Sequence, residues 1–292
     1  MEKTASRKLN ARQVINNLRM LFVLIGLIVL FAILSPYFLT VRNIYAIGLT
    51  ISVIGIVCIG QSMVLMTGNF DLSVGSIAGF CGMLVAFLTK NIGFYVPMLI
   101  VGLLAGTLIG LINGLLVTKA RVNALITTLG MMTIFQGATF LVSNGFAIGV
   151  NQPDFRFLGT TRIAGLPLPI IILVVLYGIF YVILKYTVFG RYIYSIGGNS
   201  EAARLSGINV DRIKIFVFTL TGTLSAFGGA MLASRLGSAQ TTAGSEYPLN
   251  SIAACVLGGI AIAGGEGNIF GALIGVAIIG VLRSGLIMIN MP

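Results

Sequence analysis

Long apolar runs constrain the fold of this chain more than any other feature. Hydrophobic residues make up 57% of the sequence and charged residues only 9%, whereas a soluble domain carries about 25% charged residues. A helix needs roughly 20 apolar residues to cross a bilayer core about 30 Å thick, and its backbone must satisfy its own hydrogen bonds there. No segment alternates like a strand of a membrane barrel. The sequence therefore predicts an all-α, polytopic bundle of transmembrane helices.

The apolar runs predict about nine spans in a single transmembrane domain, residues 1–292. The first run follows a basic segment and lacks a small-residue cleavage site, which favours an uncleaved span over a signal peptide. The runs lie at Met20–Leu34 and at about 45–66, 72–89, 93–118, 123–142, 167–186, 213–234, 250–263 and 268–289.

The distribution of basic residues predicts the orientation. Placing the N-terminus in the cytoplasm puts most of the 18 basic residues on the cytoplasmic side, as the positive-inside rule requires. The polar segment 186–214 is then a cytoplasmic loop, and the polar segment 143–167 is an external loop. Membrane topology also explains the net charge of +11 better than nucleic-acid binding does, because the basic residues are dispersed between spans.

The sequence lacks the residues that catalysis, metal binding or nucleotide hydrolysis would need. It contains no histidine, and Cys58, Cys81 and Cys255 lie in apolar runs without paired spacing, so they are interpreted as packing residues. There is no phosphate-binding loop. We therefore predict no enzyme activity, no metal site and no cofactor in this chain. Active transport would draw its energy from a partner or an ion gradient.

Small residues recur along several runs at helical spacing. Such spacing strips one helix face of side chains and lets another backbone approach closely. Tight helix packing is the favoured interpretation, and a glycine-lined pathway is the alternative. The glycines concerned are Gly102, Gly106, Gly110 and Gly114, the pair Gly75 and Gly79, and the pair Gly271 and Gly275.

Two polar or glycine-rich breaks interrupt the apolar pattern. The first, Thr67–Ser76, contains Asp71 and Ser73, either of which can cap the next helix. It also has the composition of an interrupted transporter helix whose polar groups line a passage. The second break is Gly258–Asn268. Both the capping and the passage interpretations remain open for the first break.

The 186–214 loop contains a short helix in our prediction. Asn199 or Ser200 is suited to cap its start, Glu201 favours its positive end, and Gly207 is suited to end it. Such a polar helix is either a solvated connector or a surface that docks on another protein.

This helix resembles a loop of a known family. Glu201-Ala202-Ala203, three further residues and then Gly207 resemble the cytoplasmic EAA-x3-G loop of ABC-importer permeases, in the branch that serves ribose, xylose and galactose. Other segments resemble the same branch and occur in the family's order. They are 197–208, 71–75, 251–259 and 271–275, and the likeness covers about residues 15–290.

The resemblance implies a function and a set of partners. The chain would be a multi-pass permease of the bacterial plasma (inner) membrane, forming the passage for a pentose or hexose. A cytoplasmic subunit would bind ATP and Mg²⁺, an extracytoplasmic protein would deliver the sugar, and a second permease copy would complete an expected homodimer. The coupling helix would comprise Gly198, Asn199, Ser200, Glu201, Ala202, Ala203, Arg204 and Gly207.

The sequence departs from the family pattern in three places. Asn69 and Phe70 replace glycine and isoleucine, and Asn250 replaces an acid. The candidate passage residues are therefore Asn69, Asp71, Ser73 and Asn250. The chain ends at Pro292 after the ninth predicted span, where relatives add a tenth, so we expect an incomplete chain. The alternative function is a self-sufficient, ion-coupled carrier, which is disfavoured because charged residues avoid the span centres.

Overall fold

A computed structural model describes residues 19–289, and its long helices form from the apolar runs. Within these residues, seven helices are long and apolar enough to cross a membrane. They are α2 (Val41–Met66), α3 (Val74–Ile92), α4 (Tyr95–Thr118), α5 (Ala124–Ser143), α7 (Leu168–Tyr186), α10 (Val210–Leu236) and α12 (Ile269–Met288). The shorter helices are α1 (Arg19–Leu34), α6 (Phe157–Thr160), α8 (Val188–Gly198), α9 (Ser200–Leu205) and α11 (Tyr247–Leu257).

The prediction of about nine spans is wrong, because seven candidates lie between residues 19 and 289. The described part of α1 is Arg19–Leu34, about 24 Å long at 1.5 Å per residue, which is short of the bilayer core. The run at 250–263 breaks after α11, because Gly259 adopts a φ of +85° that a helix cannot continue. The predicted cytoplasmic tail, residues 1–18, and the C-terminal residues 290–292 lie outside the described residues.

Helix α2 is the centre of the bundle. Every residue from Ser52 to Met66 is buried, and all of them except Ser52, Gln61 and Ser62 are apolar or glycine, as expected for a helix surrounded by protein. It packs against α7, α10, α11 and α12. A Cβ added to Gly60 would lie 2.9 Å from the Thr221 Cα, so the α2 and α10 backbones touch there.

Glycine spacing brings α4 against α10, as the tight-packing interpretation predicts. A Cβ on Gly106 would lie 2.6 Å from the Gly222 carbonyl oxygen, and one on Gly114 would lie 2.8 Å from the Ile215 Cα. Gly102 instead faces Val85 of α3. A non-helical segment packs closely against Gly79, because a Cβ built on Gly79 would lie 2.5 Å from the Ala243 carbonyl oxygen.

The two polar segments lie at opposite ends of the bundle, because the single helix α7 separates them. One end carries α9, and we call it the α9 end. The other end carries 144–167, where β1 (Ile148–Gly149) pairs with β4 (Ser238–Ala239) and β2 (Arg162–Ile163) pairs with β3 (Leu166–Pro167), both antiparallel.

Helix α11 ends at Leu257, and the chain continues from there as irregular backbone over residues 258–268. The Cys58 and Cys255 Sγ atoms lie 3.3 Å apart, which places α11 against the second half of α2. Residues 258–268 then continue to the α9 end, where Gly265 contacts Met66. Such backbone is tolerated at membrane depth only where protein surrounds it, and Ile260 is 2% exposed.

Candidate functional site

The short helix α9 begins at an asparagine cap. The Asn199 Oδ1 accepts hydrogen bonds from the backbone N–H groups of Glu201 at 3.0 Å and Ala202 at 2.9 Å. Two of the free donors of the first turn are thereby satisfied. The prediction that a capped helix starts here is confirmed, with Asn199 rather than Ser200 as the cap.

Gly207 ends α9 in a left-handed conformation, with a φ of +84°. The Gly207 N–H donates to the Arg204 carbonyl at 3.0 Å, and the Ile208 N–H donates to the Ala203 carbonyl at 3.1 Å. This pair of bonds is the Schellman motif. The predicted end of the helix at Gly207 is confirmed.

Helix α9 presents most of its surface to solvent. Ala203 is its one buried residue and packs with Ile196 and Val210. The other predicted coupling residues are exposed, and Leu205 beside them is 83% exposed. They are Gly198, Asn199, Ser200, Glu201, Ala202, Arg204 and Gly207. A capped, solvent-exposed helix with an apolar side chain suits docking on another protein, and the docking itself stays a prediction.

The base of this loop contacts the interior of the bundle. A Cβ on Gly197 would overlap both the Met66 carbonyl oxygen and the Gly265 backbone nitrogen. The Tyr194 hydroxyl donates to the Gly267 carbonyl at 3.1 Å. The segment leading into α9 is therefore packed on the end of α2 and on the backbone before α12.

Asp71, Ser73 and Asn113 form a buried polar cluster beside the first break. The Asp71 Oδ1 accepts from the Ser73 N–H at 2.8 Å and the Ser73 hydroxyl at 2.6 Å, and the Asn113 Nδ2 donates to the Ser73 Oγ at 2.8 Å. Burial raises the pKa of Asp71 to about 6, although the two bonds from Ser73 lower it. The Asp71 Oδ2 and Asn113 Oδ1 have no partner among the described residues.

The predicted passage residues do not form one site. Asp71 and Ser73 are fully buried in that cluster, and the Asn69 Nδ2 donates to the Thr67 carbonyl at 3.0 Å. Asn250 lies in the first turns of α11, partly exposed, and its N–H donates to the Glu246 carbonyl. Their role in a passage stays a prediction.

A cavity of about 590 Å³, lined by both apolar and polar side chains, opens at the end opposite α9, and we call it the vestibule. It lies between α2, α10, α12 and the segment before α11. The Arg283 Nη1 donates to the Glu246 Oε2 at 2.6 Å, and the Ser284 Oγ donates to the Asn43 Oδ1 at 2.9 Å. Arg235, Thr242 and Tyr247 also line it. This volume lies within the range of small-molecule sites, about 300–1,000 Å³.

Sequence reasoning missed the vestibule. Glu246 is one of only seven acids in the chain, and its position just before α11 was the available signal. Arg235 and Arg283 lie near span ends, which made them look like topology signals rather than lining residues. The pairing of Glu246 with Arg283 joins positions 37 residues apart, which no local pattern reveals.

A bundle of membrane-crossing helices with a vestibule at one end and a capped, exposed helix at the other is the architecture of a multi-pass membrane protein. The residues that the structure describes contain no metal-binding group of His, Cys, Asp and Glu side chains. Residues 43–292 match the family described as "Branched-chain amino acid transport system / permease component", and the chain belongs to that family.

Curated relatives cover most of the chain. It is 42% identical over 276 residues to a ribose import permease protein of Haemophilus influenzae, covering 91% of this chain and 84% of the relative. It is 42% identical to the ribose import permease protein of Escherichia coli K12, and the alignment covers 90% of this chain and 84% of the relative. It is also 42% identical to an L-arabinose ABC transporter permease protein of Azospirillum brasilense, and the alignment covers 91% of this chain and 79% of the relative. No solved structure matches the chain.

Proposed function

We propose that this chain is the membrane-spanning subunit of an ATP-driven importer and forms the passage for a monosaccharide. The observation that carries the proposal is the 42% identity, over about nine-tenths of the chain, to permeases named for ribose and L-arabinose. Both named sugars are pentoses, so a pentose is the first substrate to test. The relatives are named as transport permeases, which agrees with a chain that changes no substrate bond.

The proposal assigns α9 to the ATP-binding partner. The partner binds ATP and Mg²⁺, and α9 seats in a cleft on it, with the 186–214 loop on the cytoplasmic side. The cap at Asn199 and the end at Gly207 keep α9 folded while exposed, which lowers the entropy cost of docking. The packing of Gly197 on Met66 and Gly265 supports transmission of the partner's movement into α2 and α12.

The proposal assigns the vestibule to the sugar's entry. The 144–167 loop and the vestibule then face the outside, where a soluble binding protein delivers the sugar. Sugar hydroxyls require hydrogen-bonding partners when they leave water, and Glu246, Arg283 and Thr242 supply donors and acceptors. A second permease copy completes the passage. The second copy and the surrounding lipid together cover the large exposed apolar faces of α5 and α7.

The test is reconstitution in vesicles. The permease alone is expected to move no ribose, whereas adding its ATPase and binding protein is expected to give uptake that requires ATP hydrolysis. The matched control contains an ATPase without hydrolytic activity. Concentration of sugar by the permease alone, driven by a proton or sodium gradient, would establish the ion-coupled carrier instead and refute the proposal.

A further inference from the structure

A second cavity, of about 580 Å³, lies at the α9 end between α9, the α4–α5 turn and the start of α10. We call it the basic groove. Its lining contains three cations, Arg121, Arg204 and Lys214, and one acid, Asp211. Thr118 and Ser200 add hydroxyl groups. The groove therefore carries an excess of positive charge together with neutral hydrogen-bonding groups.

The single acid of the groove is already paired. The Asp211 Oδ2 lies 2.9 Å from the Lys119 Nζ, and its Oδ1 lies 3.5 Å from the Arg204 Nη2. Arg121 and Lys214 have no ion pair among residues 19–289. Two positive charges therefore remain available to an anion from outside the chain.

The position of Arg121 is fixed by an unusual turn. Its φ is +56°, which a non-glycine residue rarely adopts. The turn is held by bonds from the Ala120 N–H to the Leu115 carbonyl at 3.2 Å and from the Val122 N–H to the Leu116 carbonyl at 3.1 Å. This conformation costs on the order of 1–3 kcal/mol, and Arg121 lines the groove while its side chain stays exposed to solvent.

The groove lies at the depth of the lipid headgroups. The uncharged stretch of α10, from Ile215 to Ser234, is about 30 Å long, which matches the bilayer core. The charged first turn of α10 must then lie in the headgroup layer. Thr118 is the last residue of α4, so the other wall of the groove ends at the same level.

Apolar side chains continue from the groove along the spans. Leu115, Val122 and Leu125 are exposed next to its lining residues. An occupant with a charged head and apolar chains fits both surfaces, whereas a soluble protein would bury only the charged one. The exposed apolar side chains favour a lipid on the α4–α5 side of the groove, whereas Ser200, Arg204 and Gly207 on its α9 side belong to the face that we assign to the ATPase.

We propose that the basic groove binds the phosphate of an anionic phospholipid, with Arg121 and Lys214 contacting the headgroup and the acyl chains lying along α4 and α5. Basic pockets at the ends of transmembrane helices bind anionic headgroups by charge and by charge-assisted hydrogen bonds. This proposal does not depend on the identity of the transported sugar.

The experiment compares lipid retention by the purified, full chain. The protein is placed in nanodiscs of phosphatidylcholine with phosphatidylglycerol, and the enrichment of phosphatidylglycerol is measured by mass spectrometry. The double variant Arg121→Gln/Lys214→Gln is expected to lose roughly thirtyfold in relative affinity, because each basic residue contributes about a factor of five. The control is Arg212→Gln, an exposed charge on the same helix outside the lining, which is expected to lose no more than the factor of about five that one basic residue near the membrane surface contributes.

Folding and competing occupants are checked in the same preparation. The single variant Lys214→Arg keeps the positive charge and is expected to retain the lipid. Lipid loss in the double variant but not in Lys214→Arg would then reflect the lost charges and not a disrupted fold. Equal retention by the double variant and the wild type would overturn the proposal. Displacement of the lipid by inorganic phosphate at equal concentration would assign a soluble anion, and loss of ATPase binding with unchanged lipid enrichment would assign the ATPase. Either result also overturns the proposal.

Discussion

The Met66 carbonyl oxygen accepts a hydrogen bond from the Gly265 N–H at 2.9 Å. This bond joins the end of α2 to the irregular backbone before α12. Gly197 packs on both groups without space for a side chain. Three segments that are far apart in sequence therefore meet directly under α9, and a movement of α9 has a short mechanical path into the bundle.

Gly197→Ala tests this contact. The new Cβ would overlap the Met66 and Gly265 backbones, and such overpacking costs about 1–3 kcal/mol. We expect the variant to keep binding the ATPase through α9 while sugar uptake falls strongly. Uptake in vesicles and copurification with the ATPase are measured side by side.

A glycine outside the predicted coupling helix supplies the matched control. No atom lies within 4 Å of a Cβ built on Gly178 of α7, and its φ is not positive. Gly178→Ala is therefore expected to transport like the wild type. Equal losses of uptake in the two variants would contradict a specific role for the Gly197 contact.

Gly207→Val tests the end of α9. Gly207 has a φ of +84°, and a β-branched side chain in this conformation costs about 1–2 kcal/mol. We expect the permease to stay folded, because Gly207 is exposed, while ATPase copurification drops at least severalfold. Gly207→Asn is expected to restore binding, since asparagine tolerates the left-handed conformation. Unchanged binding by the valine variant would separate α9 from the ATPase contact.

Local signals in the sequence predicted α9 and the glycine contacts well. The cap at Asn199 and the stop at Gly207 follow from hydrogen bonds within a few residues, so a single segment carries the information. The spacing of Gly106 and Gly114 likewise indicated close packing, and the structure supplies the partner, α10.

Features that depend on distant segments were not predictable. The run at 250–263 is apolar throughout, so hydropathy alone indicated a span, yet its glycines allow left-handed backbone that the surrounding protein stabilises. The vestibule joins Asn43, Glu246 and Arg283 from three separate elements. Hydropathy reports how much a segment avoids water and says nothing about which polar groups the fold brings together.

Gly222→Ala tests the α4–α10 contact. Its Cβ would lie 2.9 Å from Gly110 and closer still to the Gly106 carbonyl, so we expect a loss of about 1–3 kcal/mol in stability. The control is Gly178→Ala on α7, where a Cβ meets nothing within 4 Å. The chain contains no tryptophan, so stability is measured as the fraction that remains monodisperse after heating. Equal heat resistance of the two variants would argue against tight packing at Gly222.

Glu246→Gln and Arg283→Gln test the vestibule. Both side chains are about half exposed, so breaking their pair is expected to change stability by about 1 kcal/mol or less. If the pair contacts the sugar, uptake falls in both variants through a higher KM. The double variant completes the cycle, and its loss is expected to be smaller than the product of the single losses. Unchanged KM in all three variants would remove the pair from the sugar's path.

Asp71→Asn tests the buried cluster. The pKa of Asp71 is about 6 in the folded chain and 3.8 ordinarily, because burial disfavours the carboxylate. The charged form is thus less favourable in the folded state, so stability is expected to be highest below about pH 4, to fall as the pH rises through about 6, and to level off above it. The asparagine keeps an Oδ1 acceptor for both Ser73 donors and has no charge to bury.

The two proteins are compared between pH 4 and pH 7 by the temperature at which half of each remains monodisperse. The wild type is expected to lose stability across this window relative to Asp71→Asn, so the difference between their midpoints grows with pH. Ser73→Ala removes the hydroxyl bond that lowers the pKa of Asp71, and is expected to move the fall to a higher pH. A constant difference between wild type and Asp71→Asn across the window would mean that the folded and unfolded chains bind the same number of protons there, so that the fold does not raise the pKa of Asp71.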